Sequence, residues 1–142
     1  MEENDVLREK AFSFALRIVD LSRFFVSNYR ELVLSKQVLR SGTSIGANLA
    51  EARQAQSRSD FVHKLSISNK EASETNYWIE LLEASHFITT PQARSLLGDC
   101  TKLQRLLIGS INTVKRKSGY KLSIGELSIS RLFHDKELQY TY

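Results

Sequence analysis

Gly42, Gly46 and Ala50 recur every four residues within Ser41-Gly42-Thr43-Ser44-Ile45-Gly46-Ala47-Asn48-Leu49-Ala50-Glu51, a stretch that otherwise has the apolar period of a helix. A glycine inside a helix costs about 1 kcal/mol relative to alanine. Two of them on one face imply that something approaches that face too closely for larger side chains. The strip therefore calls for a helix packed against another backbone, either a neighbour in the same bundle or an identical helix of a second subunit. Packing within the bundle is the preferred reading, with Asn48 and Glu51 fixing register through inter-helix hydrogen bonds. On this reading, Gly42→Leu or Gly46→Leu unfolds the protein instead of only dissociating it.

The partners for such a helix are legible in the rest of the chain. Leu7, Ala11, Phe14, Ile18, Leu21 and Phe25 are spaced 4-3-4-3-4 and predict a first helix over 5–29. A second helix is expected to begin after Ser35 as N-cap and to run to 56, with Leu34, Val38, Ser41, Ile45, Ala52 and Ala55 inward. Ser57-Arg58-Ser59-Asp60 is a capping signature for a third helix ending near His86, whose inner line is Phe61, Leu65, Ser68, Ala72, Thr75, Ile79 and Leu82. Thr90-Pro91 reads as N-cap and first turn of a fourth, carrying Ala93, Leu96, Cys100, Leu103, Leu107, Ile111 and Val114. Lys115, Arg116 and Lys117 suit its C-terminal dipole, with Gly119 as the residue after the cap. Long helices with short connections predict an all-α, antiparallel up-down-up-down four-helix bundle over 1–119. Residues 120–142 form a C-terminal tail whose Leu122, Ile124, Leu127, Ile129, Leu132 and Phe133 lack a helical stripe. It covers a seam of the bundle, docks on a neighbouring subunit or frays.

Composition narrows the chemistry. A chain of 142 residues fits one domain, and one proline with six glycines is too few for an all-β fold. Cys100 is the sole cysteine, which rules out an intramolecular disulfide framework and a cysteine-rich zinc site. The start Met1-Glu2-Glu3-Asn4-Asp5 is acidic where a signal peptide is basic, and no uncharged run reaches the roughly 18 residues of a membrane span. A cytoplasmic protein without membrane contact is expected. Glu83-Ala84-Ser85-His86 has the Glu-x-x-His spacing of carboxylate-bridged metal bundles, but its second copy, Asp60-Phe61-Val62-His63, lies on the same helix about 34 Å away. No metal, cofactor or catalysis is expected. Cys100 reads as a buried thiol and His86 as a C-terminal helix histidine. Tyr77 and Trp78 offer either base stacking or, for at least one of the pair, core packing.

Charge is unevenly distributed. Residues 30–58 carry net +3 and 91–117 net +5, whereas 59–90 carry net −3. Arg94, Arg105 and Arg116 are separated by eleven residues each, which returns a helix to within about 20° of its starting direction. With Lys102 they form an outward stripe opposite Leu103, Leu107 and Val114, and Lys36 and Arg40 add a basic pair on the second helix. Such a stripe matches regularly spaced phosphates and contains no base-reading code. The competing reading is that these cations solvate an outer face and pair with Asp60, Glu71, Glu74, Glu80 and Glu83 of the third helix.

The residues Ser41 to Ala52, with Ser57-Arg58-Ser59-Asp60-Phe61, Lys64-Leu65, Lys70-Glu71-Ala72, Glu74-Thr75 and Tyr77-Trp78, resemble the bacterial four-helix-bundle family named for the 23S rRNA intervening-sequence protein. A related branch is the accessory variability determinant of diversity-generating retroelements. Resemblance to that branch implies a ring-shaped homopentamer with a basic surface for RNA or DNA, and a reverse transcriptase as protein partner. From Gly119 onward the chain departs from the family pattern. Two function classes follow: a non-catalytic, oligomeric nucleic-acid-binding accessory protein is preferred. The alternative is a protein-only scaffold that uses the apolar tail and the acidic face of the third helix.

Overall fold

The computed structural model describes residues 2–117. They form α1 (Glu2–Tyr29), α2 (Val33–Ala52), α3 (Arg58–Ala84) and α4 (Thr90–Lys117). Each helix packs on the next in sequence, and α1 closes the ring against α4 along the least extensive seam. The pairings run antiparallel. Ser22 meets Ser35 while Ile18 meets Gly42 and Ala11 meets Gly46 across α1 and α2. Thr75 meets Ser41 while Lys64 meets Glu51 across α2 and α3. Tyr29 meets Phe87 while Arg17 meets Asp99, so α1 also opposes α4. The tail 120–142 and the expected Gly119 cap lie outside the described residues.

The predicted stripes form the core. Phe14, Ile18 and Phe25 of α1, Ile45 of α2, Leu65, Ile79 and Leu82 of α3, and Leu103 and Leu107 of α4 are fully buried. Each such side chain contributes about 1.5–3 kcal/mol by leaving water, so four continuous stripes suffice to hold the helices side by side. Leu21, Leu34, Phe61 and Ile111 pack only partly buried against this core, and Ala55 and Val114 are half-buried. The second helix has small inward residues, and its hydroxyls are satisfied. Ser22 and Ser35 share a hydrogen bond of 2.7 Å, Ser68 donates to the Ile45 carbonyl at 2.8 Å, and Thr75 lies 3.0 Å from the Ser41 hydroxyl. Close packing there costs no unsatisfied hydroxyl.

Helix boundaries correct three expectations. Ser35 is not the N-cap of α2. The Glu31 carboxylate, one turn earlier, accepts from the backbone N–H groups of Val33, Leu34 and Ser35 at 3.1, 3.0 and 2.8 Å, which frees Ser35 to turn into the core. A carboxylate at that end satisfies orphan donors and suits the dipole. At its far end α2 stops at Ala52 and tapers through tight turns from Arg53, Gln54 and Ala55, short of 56. The N-cap of α4 is Thr89, not Thr90: Thr89 Oγ1 accepts from Gln92 N–H at 3.3 Å and Gln92 Oε1 accepts from Thr89 N–H at 2.9 Å, a reciprocal capping box. Ser57 caps α3 as expected, accepting from Asp60 N–H at 3.0 Å. His86 lies just past α3 with φ 66°, where Phe87 N–H reaches the Leu82 carbonyl at 2.9 Å and His86 N–H reaches Glu83 at 3.0 Å. This is the left-handed turn that usually takes glycine after a helix.

Candidate nucleic-acid interface

The outward face of α4 is assembled by its period. Opposite the buried line Ala93, Leu96, Cys100, Leu103 and Leu107 lie Thr90, Arg94, Gly98, Lys102, Arg105, Gly109, Asn112 and Arg116, all exposed. Residues three or four apart are surface neighbours, so these form one continuous strip, and Arg94 to Arg116 spans about 33 Å. The sole carboxylate among residues 91–117 is Asp99, and it is turned aside. Arg17 of α1 holds it at 2.6 Å and donates to Ser95 Oγ at 3.0 Å. Among the described residues no carboxylate pairs with Arg94 or Lys102. Arg116 is exposed, and its Nε donates to the Asn112 carbonyl at 3.5 Å. Arg105 is exposed in the same row.

The other two basic candidates do not join this strip. Lys36 is exposed, but α2 lies diagonally across the bundle from α4. Arg40 is corrected: its guanidinium is engaged by Glu74 and, at 3.3 Å, by Glu71, both on α3. That pairing, led by the hydrogen bond that Arg40 donates to Glu74, strengthens the arginine's hold on its proton. Burial pushes the Glu71 carboxyl above its ordinary range, and the neighbouring Arg40 pulls the other way. Here the acidic third helix does neutralise a cation, as the competing reading held.

The small-residue strip divides as well. Gly42 is buried against Ile18 and Gly46 lies against Ala11, with the nearest approach to an added Cβ at 3.7 Å, so these two glycines serve packing within the bundle. Ala50 is exposed beyond the contact. Asn48 is corrected too: it donates to the Ser44 carbonyl at 2.8 Å, one turn back within its own helix, where a short amide side chain reaches a backbone acceptor before a neighbouring helix. Glu51 does bridge helices, accepting from Lys64 Nζ at 2.9 Å.

The groups weighed for chemistry are inert or dispersed. Cys100 is buried with its thiol donating to the Ala72 carbonyl at 3.3 Å, and burial pushes that thiol up to about 12. Trp78 packs against the core while Tyr77 stays exposed, their rings edge to face at 5.0 Å. Among the described residues no three His, Cys, Asp or Glu side chains come close enough to share a metal ion, and no helix is long and apolar enough to cross a membrane.

Two features escaped the sequence reading. Gly98 and Gly109 lie in the basic strip with no atom within 4 Å of an added Cβ, and their eleven-residue interval, the same as that of the arginines, was the available signal. At the bundle end where α1 and α3 terminate, Phe24 and Tyr29 border a cleft of about 660 Å³ with Glu83, Ala84, the turn His86–Thr89, Thr90 and Gln92. Its only trace in the sequence is Phe24, an aromatic residue off the α1 stripe.

The family described as 23S rRNA-intervening sequence protein matches residues 2–109. A solved structure from Bacteroides thetaiotaomicron, described as a protein of unknown function from the S23 ribosomal protein family, is 52% identical. The match covers 78% of this chain and 98% of that one, with a TM-score of 0.76. No curated protein matches the chain.

Proposed function

The chain belongs to the 23S rRNA-intervening sequence protein family, and from that premise we propose that it is a non-catalytic, cytoplasmic accessory protein that binds the backbone of RNA or DNA along α4. The observation that carries this reading is the exposed row Arg94, Lys102, Arg105 and Arg116 on a helix whose one carboxylate, Asp99, is held by Arg17, with no carboxylate paired to Arg94 or Lys102 among the described residues. Guanidinium groups in register with a polyanion release counterions on contact, and that release supplies affinity without reading sequence. Arg40 and Glu74 belong to the scaffold instead.

Self-association accompanies this role. On α1, Phe12 is 68% and Leu16 53% exposed, with Leu32 and Val33 also bare at the start of α2. Apolar side chains grouped outside a core favour association, and a homo-oligomer, a pentamer by resemblance, repeats the basic strip around its rim. The same apolar residues favour the second reading, a scaffold that binds protein alone.

Fluorescence anisotropy with a labelled single-stranded RNA and a labelled duplex separates the two. Replacing Arg94, Arg105 and Arg116 with Gln is expected to weaken binding by about tenfold or more, since each lost phosphate contact removes part of the electrostatic term. Arg40→Gln is expected to leave binding unchanged. Undiminished binding by the triple variant would transfer the role away from α4, and no binding by the parent protein would favour the scaffold.

A further inference from the structure

The cleft at the end of the bundle combines aromatic surface with a single free carboxylate. Phe24 is 46% and Tyr29 52% exposed, yet both rings are fixed: they meet edge to face at 5.9 Å, and Tyr29 stands perpendicular to Phe87 at 5.5 Å. A half-bare ring offers a face on which a planar group can stack, with the second ring at its edge. Glu83, half-buried on the same wall, has no ion pair and no hydrogen bond to its carboxylate among the described residues. It sits in the last turn of α3, where the dipole disfavours negative charge.

A carboxylate accepts two hydrogen bonds side by side. Guanine is the base that presents two adjacent donors, N1–H and the N2 amino group, on one edge. Adenine and cytosine offer one amino group there, and uracil one imide N–H. A carboxylate repels phosphate, so a nucleotide must enter base first and leave its phosphate outside. Cleft-lining Thr90 lies one turn before Arg94, the first cation of the α4 strip, and the two residues share a face.

We propose that this cleft takes one unpaired guanine of a single strand whose backbone lies along α4, with the base stacked on the Phe24 ring and meeting Tyr29 at its edge, and its N1–H and N2 amino group donating to the Glu83 carboxylate. The proposal rests on the reading of α4 as a backbone-binding face and adds a base preference to it.

Calorimetry with GMP and AMP, together with anisotropy on an all-uridine 12-mer and the same strand carrying one guanine, tests it. GMP is expected to bind about tenfold or more tightly than AMP, in line with a good bidentate contact, and the single-guanine strand more tightly than all-uridine. Glu83→Gln is expected to erase both preferences, and Phe24→Ala to weaken both nucleotides. Substituting Gln for Arg94, Arg105 and Arg116 is expected to lower strand affinity while the GMP preference persists. Equal binding of the two nucleotides and of the two strands, or a preference that survives Glu83→Gln, would overturn the cleft while a salt-dependent strand affinity left the α4 reading intact. A GMP preference without strand binding would overturn the strand assignment and leave a mononucleotide site.

Discussion

A Cβ on Gly42 would lie 2.8 Å from Cγ1 and 2.9 Å from Cγ2 of Ile18, closer than side-chain carbons approach one another. Ile18 is fully buried and β-branched, so it has little freedom to withdraw. Gly42→Ala is therefore expected to destabilise the fold by about 1–3 kcal/mol through overpacking. Gly46→Ala, meeting Ala11 at ordinary contact distance, is expected to be neutral or to stabilise by up to about 1 kcal/mol. Urea unfolding with an unchanged slope measures both, and the reverse order would contradict the packing described for α1 and α2.

Gly98 and Gly109 meet nothing. Alanine at either position is expected to raise stability by about 0.5–1 kcal/mol from backbone entropy alone. The two substitutions should add, being about 16 Å apart along the helix. Thermal unfolding of the single and double variants checks this, and a destabilised double variant would reveal a contact on that face that the isolated subunit lacks.

The Arg40, Glu71 and Glu74 cluster gives a pH-dependent prediction. Burial raises the Glu71 carboxyl in the folded protein, so its contribution to stability falls as pH rises through that folded value and is most favourable in acid. Arg40 offsets the cost at neutral pH. Arg40→Gln leaves two carboxylates facing each other and is expected to lower stability near neutral pH by about 0.5–1 kcal/mol, a solvent-screened magnitude. The deficit should shrink as pH falls through the raised range of Glu71, where that carboxyl takes up a proton. Parallel denaturant melts across that window test it, and a deficit independent of pH would assign the effect to lost packing.

Cys100, buried with its thiol pushed up to about 12, should resist alkylation in the native protein at mildly basic pH. Modification is expected to become complete only in denaturant, with a native-state rate that tracks unfolding. Rapid labelling under native conditions would mean that α4 opens locally.

Much of this architecture was legible because apolar period and core burial are the same fact seen twice. On α3 every residue assigned inward is buried except Phe61, which is half-buried. The Ser57 cap was legible because its signature is local. Ser35 misled because the Glu31 side chain reaches forward over a full turn and displaces it, a competition that residue type alone does not reveal. Arg40 and Arg94 look alike as letters. Only the rotation of α2 against α3 brings Glu71 and Glu74 to one and leaves the other in solvent. The cleft was illegible for a related reason, since Phe24, Glu83 and Thr90 converge only when three helix ends meet.

The salt dependence of RNA binding tests the central claim most directly. For a single strand, log affinity falls against log salt with a slope of about −0.7 for each phosphate neutralised. The parent protein is expected to show a steep linear decline, and replacing Arg94, Lys102, Arg105 and Arg116 with Gln should flatten the slope by about 3. An identical slope in the two proteins, or no binding even at low salt, would contradict the assignment of α4 as the face that holds nucleic acid.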